Sequence, residues 1–98
     1  MPTPELEANV PKLAGHVRLG VDPLTQFSVL LYPEGILELD EAAAAILRLC
    51  DGQLSIGEIA SALADEYEAS REEILKDAQE FLAGLATKGL LRWETDHR

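Results

Sequence analysis

The hydrophobic period of this chain changes once, at Asp40, and that change constrains the fold more than any other feature. Upstream of it, Val17, Leu19 and Val21 alternate with polar or small residues, and Phe27 to Tyr32 is a nearly continuous apolar run. A period of two is the signature of strands. The stretch Tyr32-Pro33-Glu34-Gly35 then places proline where a turn wants φ of about −65°, and glycine where a positive φ fits, before Ile36 to Leu39 resumes an extended run. The expectation is a three-stranded antiparallel meander.

Downstream of Asp40 the period becomes that of helices. Asp40 is the expected N-cap, Ala42, Ile46, Leu49 and Cys50 share one face, and Asp51-Gly52 offers a left-handed stop. Ser55 and Glu58 have the spacing of a capping box, with Leu54 and Ile59 as a hydrophobic staple around it, and Ile59, Leu63 and Tyr67 form the expected buried stripe. Ser70 with Glu73 repeats the box. Ile74, Ala78, Phe81, Leu82 and Leu85 then carry a third helix to a stop at Gly89.

Three strands followed by three helices predict an α+β domain whose helices cover one face of the sheet. The arrangement resembles a winged helix-turn-helix, with a three-stranded antiparallel sheet followed by a three-helix bundle. The boundaries read from composition are an extended N-terminal arm over 1–14, carrying Pro2, Pro4 and Pro11, a domain over 15–93, and a frayed polar tail over 94–98. With 98 residues there is enough chain for one hydrophobic core. Few aromatic residues are available, so that core should be aliphatic.

Charge narrows the function. Eighteen acidic residues against eight Lys and Arg give a net charge of −10, which repels phosphate backbones and anionic lipid surfaces. On the third helix Arg71, Lys76 and Lys88 face Glu72, Glu73, Asp77 and Glu80, so counterion release cannot drive DNA binding there. No nucleic-acid or membrane partner is expected, and without an apolar span or signal peptide a cytosolic protein is.

Chemistry is equally sparse. His16 and His97 lie near opposite ends of the chain, and no two His or Cys residues share metal-ligand spacing. Cys50, the only cysteine, falls on an apolar helix face and reads as core. The acidic groups Asp65, Glu66, Glu68 and Glu72, Glu73, Asp77 read as solvated helix faces because no calcium loop spacing accompanies them. The glycines match no phosphate-binding motif, and no Asp-Ser pair marks an acyl carrier. The expectation is a non-enzyme without cofactor or metal.

A meander leaves edge strands with unpaired backbone groups, and Gly35 to Leu39 is expected to be one because the chain leaves it directly for a helix. Such an edge accepts an extended peptide by strand addition. It is equally open to capping by the N-terminal arm or by a second copy of the chain, and the latter would make a homodimer that excludes peptide.

The residues Pro11-Lys12-Leu13, Leu30-Leu31-Tyr32-Pro33-Glu34-Gly35, Leu39 with Ala43-Ala44-Ala45-Ile46-Leu47, Cys50-Asp51-Gly52, and Ile59 with Leu63 resemble the PqqD family of pyrroloquinoline quinone biosynthesis, over about residues 10 to 93. The resemblance implies a precursor-peptide recognition element that binds the PqqA peptide and presents it to PqqE, a radical S-adenosylmethionine enzyme. It implies a peptide chaperone with no cofactor, acting in trans since this chain ends at Arg98. From related recognition elements it also implies a peptide lying between the third strand, at Ile36, Leu37, Glu38 and Leu39, and the third helix, at Leu75, Lys76, Gln79 and Leu82. Leu75 and Leu82 have core as their alternative reading, whereas Lys76 and Gln79 are expected to be exposed.

Overall fold

The computed structural model describes residues 8–94 of the chain. Its strands are β1 (Val10–Leu13), β2 (Arg18–Val21), β3 (Ser28–Tyr32), β4 (Gly35–Leu39) and β5 (Leu91–Glu94), and its helices are α1 (Glu41–Arg48), α2 (Ile56–Tyr67) and α3 (Arg71–Thr87). The expected meander is present: β2, β3 and β4 form an antiparallel sheet in that order. Leu19, Leu30 and Leu37 are paired across it and turn toward the helices, with Leu30 and Leu39 buried in the core. The α+β reading with helices on one face holds.

A second sheet was not anticipated. β1 pairs antiparallel with β5, Pro11 lying opposite Trp93 and Leu13 opposite Leu91. Residues 10–13 fall within the arm expected from its prolines, each of which lacks a backbone donor and biases its predecessor away from helix. In an antiparallel ladder successive residues point their backbone groups to opposite sides. The Leu13 amide donates to the Cys50 carbonyl and the Gly52 amide to the Pro11 carbonyl, so positions 11 and 13 face residues 50–52 and only their neighbours face β5. The donor that Pro11 lacks is therefore on the side away from β5. Residues 1–7 and 95–98 of the expected arm and tail lie outside the described residues, and Glu94 belongs to β5.

The helix starts agree closely with the capping signals. Asp40 Oδ1 accepts from the Ala43 amide at 2.8 Å. At Ser55 the box is complete, with Oγ accepting from the Glu58 amide at 3.1 Å and Glu58 Oε1 accepting from the Ser55 amide at 2.8 Å. At Ser70 only the first half forms, Oγ accepting from the Glu73 amide. Each such cap contributes about 1 kcal/mol.

The helix ends differ more from the expected ones. α1 closes at Arg48, before Cys50, through tightened bonds from the Leu49 amide to the Ile46 carbonyl and from the Cys50 amide to the Leu47 carbonyl. Gly52 and Gly89 do take positive φ, at 85° and 78°, but Gly35 does not. The β3–β4 turn therefore needs no left-handed residue, and a Cβ added at Gly35 would meet the Tyr32 ring only at ordinary contact distance, 3.7 Å from its Oη. α2 ends on Glu68 at φ 54°, a left-handed residue that turns the chain toward α3. The core is aliphatic, built around Leu30, Ile56, Ile59 and Leu82. Tyr67 and Ala42 depart from expectation: both are exposed, Tyr67 to 45%, because they border a groove rather than the core.

Candidate functional site

β4 is an edge. Its inner side pairs with β3, and its outer side has no strand partner among the described residues. The N-terminal segment does not cap it, since β1 is committed to β5. The two-residue connection Pro33-Glu34 makes Tyr32 and Gly35 a hydrogen-bonded pair, and alternation along the ladder makes Leu30–Leu37 and Ser28–Leu39 the next two. The backbone groups of Ile36 and Glu38 therefore point outward, with no backbone partner among the described residues. Leu37 and Leu39 spend theirs on β3 and turn their side chains to the core, while the Ile36 side chain is 64% exposed.

The strand runs straight into α1, and within three residues of Leu39 the chain forms the wall of a groove of about 390 Å³ between α1, the end of α2 and the start of α3. Its surface is mainly aliphatic, from Ala42, Ala45, Ile46, Leu63 and Ile74, with the Tyr67 ring beside them. Glu41 from α1 and Asp77 from α3 are its only charged lining residues among those described.

The helix positions expected at the site are divided. Lys76 is exposed. Gln79 is half-buried rather than exposed, and its Nε2 is buried without a hydrogen-bond partner among the described residues. Leu75 and Leu82 do not face outward; they are 3% and 0% exposed and belong to the core. α3 reaches the groove through Ile74 and Asp77, which alternate with that set along the helix but lie on a neighbouring face. A rotation of about 100° per residue decides such a face, and the apolar pattern of α3 is too broad to fix it from sequence.

Other chemistry is limited. Cys50 is buried, and its Sγ lies 3.3 Å from the Ile46 carbonyl oxygen to which it donates. Burial, reinforced by the neighbouring Asp51 carboxylate, pushes the thiol up to about 12. A thiol held neutral in this way is a poor nucleophile. Arg71, the best-placed cation for a DNA contact, instead ties α3 to α2, donating to Ser61 Oγ at 2.7 Å and to the Gly57 carbonyl. No group of three or more His, Cys, Asp or Glu side chains among the described residues is arranged to hold a metal ion, and no helix there is long and apolar enough to cross a membrane.

The family model for coenzyme PQQ synthesis protein D (PqqD) matches residues 28–91, which span the open strand and all three helices. The chain belongs to the PqqD family. Among PqqD relatives, the PqqA binding protein of Bradyrhizobium diazoefficiens is 42% identical over 85 residues, covering 87% of this chain and 82% of that protein. The bifunctional coenzyme PQQ synthesis protein C/D of Methylorubrum extorquens is 40% identical over 90 residues, covering 92% of this chain but 24% of that longer protein.

Two solved PqqD structures are similar in fold. The solution NMR structure of the PqqD truncation of Methylobacterium extorquens PqqCD, a functional and stand-alone recognition element for ribosomally synthesized and modified peptides, superposes with a TM-score of 0.75 at 41% identity, covering 85% of this chain and 88% of that one. The crystal structure of PqqD from Xanthomonas campestris gives a TM-score of 0.58 at 40% identity, covering 82% and 89%.

Proposed function

We propose that this chain is a non-catalytic recognition element that binds the PqqA precursor peptide and presents it to the radical S-adenosylmethionine enzyme PqqE. The observation that carries the reading is the open edge of β4 leading directly into an apolar groove. An extended peptide added to that edge pairs with the outward groups of Ile36 and Glu38, and its side chains gain burial in the groove. The names of the PqqD relatives agree with this chemistry, since several are PqqA binding proteins and one is fused to a second synthesis protein. Of the α3 positions first expected at the interface, Lys76 stays in the proposal, with Ile74 and Asp77 replacing the buried leucines.

The test is a titration of isotopically labelled protein with PqqA peptide, followed by NMR. Expected are shifts over residues 36–46 and 71–77. Shifts confined to β1, β5 and the first half of α2 would remove the docking geometry. Turnover of the peptide by this chain alone would remove the non-catalytic reading. A second copy paired through β4 would occupy the same edge, so light scattering with and without peptide should show that peptide dissociates any dimer.

A further inference from the structure

The groove has a charge character as well as a shape. Glu41 and Asp77 come from different helices, line the same aliphatic surface, and have no ion-pair partner among the described residues. Among the described residues the groove lining contains no cation, and the chain carries a net charge of −10. Tyr67, exposed at the same surface, adds an aromatic face to which a cation is attracted. An acidic peptide segment would meet repulsion from both sides. A purely aliphatic segment would fill the floor but leave two carboxylates partly desolvated and unpaired.

We infer that the groove between α1 and α3 selects an aliphatic side chain flanked by lysine or arginine in the bound peptide, with Glu41 and Asp77 as the specificity-determining residues. This rests on the peptide-binding reading above and deepens it. The aliphatic side chain packs against Ala42, Ile46 and Ile74, and the neighbouring cation lies between the two carboxylates, near the Tyr67 ring. Strand pairing along β4 is blind to side chains, so it supplies affinity for any extended chain. The groove supplies the choice among them, in part by rejecting acidic segments.

The experiment measures PqqA peptide affinity for the wild-type protein and for the double variant Glu41→Gln, Asp77→Asn, at low and high salt. The same titrations are run with peptides in which each lysine and arginine is replaced in turn by glutamine. Exposed ion pairs are modest, so the double variant should bind roughly three- to tenfold more weakly at low salt. Its affinity should also depend less on salt than that of the wild type. One peptide substitution should cause a matching loss in the wild type and little further loss in the double variant. Both replacements are neutral and close in shape at exposed positions, and an unchanged melting temperature shows that the fold is kept. Equal binding of wild type and double variant, while changes on β4 still weaken it, would overturn the groove's role and leave the peptide-binding reading standing. No binding of PqqA to the wild type would overturn both.

Discussion

The two sheets of this molecule treat their outer edges in opposite ways. β1 is flanked on one side by β5 and on the other by residues 50–52, through the Leu13–Cys50 and Pro11–Gly52 backbone bonds and a bridge between Lys12 and Asp51. Among the described residues β4 has a partner on one side only. Each strand is short, and each presents the same kind of backbone groups. The difference is whether the chain itself satisfies them, and it separates an element that holds the fold together from one that is left open to another chain.

The largest effect should come from the core that both sheets share. Leu82→Ala removes a fully buried side chain and should cost about 2–5 kcal/mol of stability, read by chemical denaturation. Peptide affinity measured well below the melting temperature should be little changed, because Leu82 supports the groove without lining it. A selective loss of binding in a stably folded Leu82→Ala protein would return that residue to the interface.

Proline at neighbouring positions of β4 separates its two sides. Leu37→Pro deletes a donor used by β3 and should destabilise the sheet by roughly 1–3 kcal/mol. Glu38→Pro deletes an outward donor instead. It should leave the melting temperature nearly unchanged while reducing PqqA affinity about tenfold, through one lost hydrogen bond and the ring's bulk at the edge. Equal stability losses for the two variants would contradict the assigned alternation.

At the closed edge, Gly52→Ala places a Cβ 3.0 Å from the Lys12 side chain at a positive φ. A loss of about 1–2 kcal/mol is expected, with peptide binding unaffected. The smallest effect near neutral pH concerns Cys50. Its folded value is raised from 9.0 to about 12 by burial first and the Asp51 charge second, so the unfolded chain loses the proton before the folded one does. The associated stability is complete below pH 9 and is lost as pH rises toward 12, with a slope approaching 1.4 kcal/mol per pH unit in between. At pH 8 the folded protein should resist iodoacetamide until denaturant is added. Rapid alkylation of the native protein would mean that the α1–α2 turn opens far more readily than the rest of the core.

Local rules determined much of this protein without reference to the fold. The change of period at Asp40, the caps at Asp40 and Ser55, the positive φ of Gly52, the left-handed stop at Gly89, the edge position of Gly35 to Leu39 and the burial of Cys50 all follow from residues a few positions apart, where sterics and hydrogen bonding act at short range. Tertiary structure decided the rest. β1 and β5 are separated by most of the chain, and a proline conceals the first of them, so only their pairing reveals that either is a strand. The groove has the same origin: Glu41, Tyr67 and Asp77 are unremarkable on their own helices and become one surface only when the three helices pack. Which face of α3 is buried was likewise beyond its apolar pattern, because Ile74 and Leu75 are both aliphatic and the neighbouring helices choose between them.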